Sequence, residues 1–393
     1  MASAAKAPVR QQMLHETLAR IAKAGVAENI ERWCWWTPTQ LSLLDQADRL
    51  TRVILIGGNG TGKTIMLDAF AAKTAKEHPD QNVIFAIHQR KTSSVRPARP
   101  LLQLDLEVKY EKAKMKNVTV KTFRSLSELS VANLTNFTVC VDEVDMEDVK
   151  PEELQTIQAK AVWIVIRKTR QQRNHEVYLR EKFPEPWVIV NLSYPLRTSK
   201  NLSDKVKSGK IAHALHNNNF NSTLQVVPNM PLGPEPLTLP LTEGSYQARL
   251  QLVFSGVGID KLALIILGYS VMKPTFEEIQ EANVTTMHQQ LAEKTDEYSQ
   301  NLLVAIEAVK ACQRPHGLPL LWFESEYAFV SHDKASIKEW MAGRNKNICG
   351  KDLITDVACV PGYEADFVIY LGANDLDVPA YMSRCRGQFV HIE

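Results

Sequence analysis

Apolar residues occur along this chain in short, dense runs separated by polar stretches of helical length. Runs at 53–56, 83–87, 118–122, 137–141, 162–166 and 188–192 are mostly apolar or β-branched and too short for buried helices, so each predicts a strand. Strands alternating with helices in this rhythm are the signature of an α/β fold with a mostly parallel, doubly wound sheet. Residues 216–244, rich in Asn, Pro and Gly, predict an irregular or partly mobile loop. A second series follows, with strands expected near 251–254, 263–267, 319–323, 353–357, 367–371 and 387–392, and helices near 297–312 and 334–342. The two halves share this rhythm but no short-period repeat. At 393 residues the chain is too long for one ordinary core, so two domains are expected.

The segment before the first strand is of a different kind. Residues 1–30 are rich in Ala, Lys and Gln and read as a helical extension or a frayed tail. After Trp33, Trp35 and Trp36, Thr37-Pro-Thr-Gln40 has the form of a capped helix start with proline inside it. The expected division is an extension at 1–30, a first domain at 31–190 and a second at 191–393.

One stretch carries most of the candidate chemistry. Val53 to Ile56 break into Gly57-Gly58-Asn59-Gly60-Thr61-Gly62-Lys63-Thr64, a G-x-x-x-x-G-K-T pattern between a strand and the helical segment Ile65–Lys76. Glycines let the backbone curl so that successive N–H groups face a polyphosphate, and the helix N-terminus adds its positive end. Lys63 is then placed to neutralise β- and γ-phosphates and Thr64 to hold Mg²⁺. About 80 residues later, the strand Phe137 to Val141 ends in Asp142-Glu143. Asp142 is expected to hold the Mg²⁺ through its shell and Glu143 to polarise an attacking water.

Composition narrows the picture only in part. A net charge of +2 and a pI near 8.1 neither require nor exclude nucleic acid. Lys109, Lys112, Lys114, Lys116, Lys121 and Arg124 cluster in one segment, and Arg167, Lys168, Arg170 and Arg173 in another; each serves equally well as a solvated face or a phosphate track. Six cysteines, at 34, 140, 312, 349, 359 and 385, show no C-x-x-C spacing and read as reduced thiols. The start lacks a secretory apolar region, and no apolar run reaches the ~20 residues that span a bilayer, so a soluble intracellular protein of cytoplasm or nucleus is expected.

Taken in order, the motifs resemble superfamily 1 helicases, in particular the branch of UvrD, Rep and PcrA, as separated segments over about residues 36–393. Gln40 is similar to the glutamine that reads the adenine edge. Val118-Thr-Val-Lys-Thr122-Phe123-Arg124-Ser125-Leu126 resembles the family's Thr-Phe-His-Ser-Leu segment on the single strand, with Arg124 in the place of His. A hydroxyl, an aromatic face and a cation at a strand end can bond a phosphate and stack a base. The segment from Asn191 through Tyr194, Arg197 and Asn201 resembles Asn-Tyr-Arg-Ser, whose arginine reaches the γ-phosphate from the second domain. The stretch from Thr355 to Val368, containing Pro361-Gly362-Tyr363-Glu364-Ala365-Asp366, is similar to Lys-Gly-Leu-Glu-x-Asp-x-Val, whose glutamate contacts the sugar and whose loop contacts the nucleic-acid backbone. Tyr381-Met-Ser383-Arg384-Cys385-Arg386 resembles Thr/Ser-Arg-Ala-Arg and sets Arg384 in the place of the arginine finger.

The resemblance implies two tandem RecA-like domains that hydrolyse ATP with Mg²⁺ in the cleft between them and move along single-stranded DNA or RNA. Arg197 and Arg384, whose planar forks can bridge phosphate oxygens, would close on the γ-phosphate. Two segments depart from the family. Trp163-Ile-Val-Ile-Arg167-Lys-Thr-Arg-Gln171-Gln172 stands where Gly-Asp-x-x-Gln is expected, and Ile87-His88-Gln89-Arg90 lacks the usual Thr and aromatic residues. There is no room for the large inserted subdomains of processive members, which implies a minimal two-domain engine or one without duplex unwinding. A nucleotide-dependent switch and a scaffold with a relic phosphate site are the competing readings.

Overall fold

The apolar runs of the first half become parallel strands. They are β1 (Arg52–Gly57), β2 (Asn82–His88), β3 (Val118–Phe123), β4 (Leu134–Asp145), β5 (Ala159–Lys168) and β6 (Val188–Leu192), in the order β3-β2-β4-β5-β1-β6. The second half contributes β7 (Leu237–Leu239), β8 (Ala263–Leu267), β9 (Leu321–Phe323), β10 (Leu353–Asp356), β11 (Ala365–Leu371) and β12 (Cys385–Ile392), in the order β7-β12-β11-β8-β10-β9. Every ladder in both sheets is parallel. The expected α/β class with parallel, doubly wound sheets is therefore present twice.

The computed structural model describes residues 36–58, 60–89, 101–130, 133–145, 149–168, 175–195, 201–202, 204, 235–239, 263–267, 321–323, 353–356, 360, 362–371, 378–382 and 384–392. The extension at 1–30, the strand at 251–254 and the helices at 297–312 and 334–342 lie outside the described residues. One expectation changes: within 216–244, foreseen as irregular throughout, residues 237–239 form β7 and pair with Val390, His391 and Ile392. Three residues of edge strand between prolines leave too short an apolar run to stand out in sequence.

Helices cover both faces of the first sheet, as a parallel sheet requires. Described helices are α1 (Pro38–Asp45), α2 (Lys63–Glu77), α3 (Leu101–Lys112), α4 (Ser127–Ser130), α5 (Pro151–Gln155), α6 (His175–Lys182) and α7 (Val378–Met382). On one face Ile54, Ile84, Val139 and Ile164 pack with Leu129 of α4, Leu154 of α5 and Leu179 of α6. On the other face α2 stacks Phe70 on Trp163, with ring centroids 3.8 Å apart. Among the described residues no helix is long and apolar enough to cross a membrane.

The helix α3 joins the two halves. It buries Leu101, Leu102, Leu104, Leu106, Val108 and Tyr110, which leaves little of its circumference polar. Leu101, Leu104 and Val108, spaced as one helical stripe, belong to the core cluster of Leu264, Ile266, Val368, Tyr370 and Phe389 in the second sheet. Its other side is tied to the first half, where Tyr110 Oη donates to Asp68 Oδ1 of α2 at 2.8 Å and Lys109 pairs with the same carboxylate. Gly362, at φ +77°, lets the second half's backbone come so close that a Cβ there would meet Leu102 Cδ2 at 2.5 Å. Leu104→Ala, at a fully buried position, is expected to lower unfolding free energy by about 2–5 kcal/mol in urea titration. A loss below about 1 kcal/mol would show that this stripe is not packed.

Candidate functional site

The strand order sets the site. β1 and β4 are separated in the sheet by β5, and the chain leaves β1 toward β2 on one side and reaches β6 on the other. Ligands of open parallel sheets bind at the carboxyl ends of strands where the winding reverses, which is where β1 turns into α2. Gly57 ends β1 at φ +151°, and a Cβ there would lie 2.3 Å from the Leu192 carbonyl oxygen of β6. Gly62 caps α2 in the left-handed conformation at φ +87°. Both positions need glycine for steric reasons, and together they bend the loop over the N-terminus of α2.

Side chains hold the loop in shape. Thr61 Oγ1 donates to the Gly58 carbonyl at 2.9 Å, and Lys63 Nζ donates to the carbonyls of Gly57 at 2.8 Å and Gly58 at 2.7 Å. Lys63 thus lies folded over the loop that precedes it. Gly60 sits at the turn, and Asn59 lies outside the described residues. Gln40 contributes from α1: its Oε1 accepts from Thr37 N–H at 2.8 Å, and its Nε2 donates to the Thr61 carbonyl at 3.1 Å. With Thr37 Oγ1 accepting from Gln40 N–H, this is a capping box fastened to the loop between β1 and α2. Gln40, Thr37, Thr61, Asn191 and Tyr194 line a small cleft beside that loop. Asn191 Oδ1 is buried there with no hydrogen-bond partner among the described residues.

The carboxylates lie at a break in β4. Pairing with β5 shifts register between Val141 and Val144, and Glu143 takes φ +60°, a costly conformation for a non-glycine residue. Asp142 is fully buried and Glu143 is 6% exposed. Asp142 Oδ1 accepts from Glu143 N–H at 2.8 Å, and the Thr64 side chain acts on its carboxyl. Burial first, then the neighbouring Glu143 charge, push the Asp142 carboxyl up to about 7, against the pull of Thr64 and Lys63. Its Oδ2 is buried without a hydrogen-bond partner among the described residues. An orphaned carboxylate oxygen beside a threonine hydroxyl is a donor set that fits a hard divalent cation such as Mg²⁺.

Glu143 is met by two guanidinium groups. Its Oε1 lies 3.6 Å from Arg384 Nη2, and its Oε2 lies 3.7 Å from Arg167 Nε. At an effective dielectric near 20, one pair of charges about 4 Å apart interacts by about 4 kcal/mol, the same order as the several kcal/mol needed to bury an ion. Arg384 comes from the second half. Its own N–H donates to the Tyr381 carbonyl at 2.9 Å, and its carbonyl accepts from Ala365 N–H at 3.1 Å, so the turn between α7 and β12 fixes its backbone. Arg167, at the end of β5, is gripped by Asp145, with Nε 3.0 Å from Oδ1 and Nη2 2.7 Å from each carboxylate oxygen.

Other expected site residues are placed differently. Arg197 lies outside the described residues. Thr355 sits in β10, in register with Phe323 and Ile266. Glu364 is half-buried just before β11. Among the expected strand-contact residues, Thr122 is half-buried and Arg124 exposed, but Phe123 is 2% exposed inside the first core. Its ring tilts against His88 at 5.2 Å, and that imidazole Nε2 lies 3.3 Å from the Arg124 carbonyl oxygen. The expected aromatic face for base stacking is therefore not available at Phe123, because the parity of β3 points it into the core. Arg167 is also corrected: it belongs neither to a solvated face nor to a surface track, since its side chain is 11% exposed between two acids. Asp145 and Arg167 were not singled out together from sequence. Their signal was an acid two residues past Asp142-Glu143 and an arginine ending the next strand.

No protein-family model matches the chain, and no curated protein matches it in sequence. Among solved structures, the DUF1998 helicase MrfA bound to DNA aligns over 95% of this chain and 50% of its own, at 7% identity and a TM-score of 0.42. Dbp5 of S. cerevisiae aligns over 91% and 86%, at 12% identity and a TM-score of 0.42. The Sulfolobus solfataricus SWI2/SNF2 ATPase core in complex with dsDNA aligns over 91% and 87%, at 10% identity and a TM-score of 0.30. The chain thus spans half the length of the MrfA chain, and these similarities do not single out the UvrD, Rep and PcrA branch.

The raised Asp142 carboxyl gives a test of the buried carboxylate pair. A folded-state value near 7, above the unfolded 3.8, means stability from the protonated form is full below about 4 and lost as pH rises through about 7. With divalent cations chelated, melting temperature is expected to fall across that window, and Asp142→Asn to flatten the slope. An unchanged slope in Asp142→Asn would show that another group sets it.

Proposed function

We propose that the protein is an ATPase that closes its two halves around the triphosphate and uses the cycle to move on single-stranded nucleic acid, DNA or RNA. The observation that carries this reading is the Arg384 guanidinium at 3.6 Å from Glu143, a cation lent by the second half to the carboxylate beside the phosphate loop. In this reading Lys63 leaves the Gly57 and Gly58 carbonyls for the β- and γ-phosphates, and the Gly57 to Thr64 backbone presents its N–H groups to them. Thr64 and Asp142 would hold Mg²⁺, which supplies charge neutralisation between the phosphates. Glu143 takes a proton from the attacking water, while Arg384 and Arg197 stabilise charge on the transferring phosphoryl oxygens. Gln40 and Asn191 lie in the cleft that an adenine ring would enter.

Arg384 must then exchange one partner for another. Its fork lies against Glu143, and the terminal phosphate, carrying more charge, would compete for it. Release of phosphate returns it. A partner exchange between halves is a means of turning hydrolysis into alternating closure. Strand contact is proposed through Thr122, Arg124, Thr355 and the Glu364 loop, with Phe123 acting as core support rather than as a stacking face. A second reading, a nucleotide-dependent switch without strand movement, is favoured by that buried Phe123.

Steady-state ATP hydrolysis with and without single-stranded DNA or RNA, at two salt concentrations, separates the two. The motor reading expects turnover to rise with polynucleotide and the stimulation to weaken with salt. Lys63→Ala, Glu143→Gln and Arg384→Ala are each expected to lower kcat by about 10²-fold or more. Equal turnover with and without polynucleotide would select the switch.

A further inference from the structure

The Arg167–Asp145 pair has no place in the reading above, yet it borders the site. Arg167 sits at the end of β5, the strand lying between β1 and β4, and so reaches the same edge of the sheet as the phosphate loop and the Asp142-Glu143 break. Here the sequence departs from the helicase pattern by carrying Arg167 within the stretch where Gly-Asp-x-x-Gln was expected. Nε and Nη2 of the guanidinium bind Asp145, and Nε also faces Glu143 Oε2. That Glu143 oxygen is buried and receives no hydrogen bond among the described residues, so its orientation depends on the arginine's charge.

We infer that Arg167, oriented by Asp145, is a positioning residue that holds the Glu143 carboxylate toward the reacting water when Arg384 leaves it for the terminal phosphate. This rests on the ATPase reading. The physical argument concerns retention. Glu143 stands on a strained backbone at φ +60° with cations on both oxygens. Removing Arg384 from one oxygen would leave a nearly buried carboxylate free to turn away or to follow the arginine, unless a second cation fixed in place remains. Asp145 supplies the fixing, because a bidentate carboxylate–guanidinium fork has one geometry. Arg167 therefore separates two tasks that would otherwise fall to Arg384: keeping Glu143 in place and answering the phosphate.

A plain structural role is the competing explanation, since Arg167–Asp145 also ties the end of β5 to that of β4. Two variants tell them apart, read by melting temperature, by Kd for the fluorescent analogue mant-ATP, and by kcat. Arg167→Lys keeps a cation for Asp145 but loses the fork that faces both acids at once. The expected result is kcat lowered about 10²-fold, with melting temperature and mant-ATP Kd close to wild type. The paired reversal Arg167→Asp with Asp145→Arg restores an ion pair while turning an acid toward Glu143. Because it sets an acid beside a nearly buried carboxylate, it is expected to melt below wild type while still folding, and to lose turnover to at least the same extent. Wild-type kcat in Arg167→Lys, or in a folded reversal variant, would overturn the inference and leave a structural ion pair. If the wild-type protein itself hydrolyses no ATP, the functional reading fails, and the inference with it. Turnover in the wild type with turnover intact in the variants removes the inference alone.

Discussion

Two carboxylates on neighbouring residues, taken out of water at a strand end, repel each other and call for positive charge. That constraint organises the site. Asp142 meets it partly by a raised proton affinity and partly through Thr64 and the field of Lys63. Glu143 meets it with Arg167 from the adjacent strand and Arg384 from the other half. A fold that wanted only stability would place apolar side chains here, since buried ion pairs seldom outperform them. The arrangement makes sense where the charge balance changes during work, when a polyanion and a divalent cation enter together.

The helix α3 governs how such a change can travel. One stripe of it is core for the second sheet, while Tyr110 and Lys109 fasten its other side to α2, the helix that follows the Gly57–Gly62 loop. A shared helix with both sides packed resists separation of the halves but tolerates small sliding, as in shear motions between packed layers. In the proposed cycle, rearrangement at Arg384 would be tied to the α3 seam, because Leu104 and Tyr381 belong to the same apolar cluster.

Much of the fold was legible because strands of a doubly covered parallel sheet are apolar at successive positions, as Val53 to Ile56 and Val139 to Val141 are. The turn from β1 into α2 was legible because glycines have steric reasons to stand at Gly57 and Gly62. What escaped were features set by tertiary packing. The apolar residues of α3 follow no amphipathic pattern, since a helix wedged between two layers buries several sides, and its sequence gave no face to read. Phe123 read as a surface aromatic because its motif suggested it, whereas strand parity turned it inward. Arg167 looked like one cation among several, and only the register of β4 with β5 brings it to Glu143 and Asp145.

The central claim is that the second half supplies a cation to the triphosphate site of the first. An experimental structure with Mg²⁺ and a non-hydrolysable ATP analogue tests it most directly. The account predicts the terminal phosphate within hydrogen-bonding distance of the Arg384 guanidinium, with Glu143 still held by Arg167. Arg384 turned away from the nucleotide, or a nucleotide bound elsewhere than at Lys63 and Thr64, would contradict it.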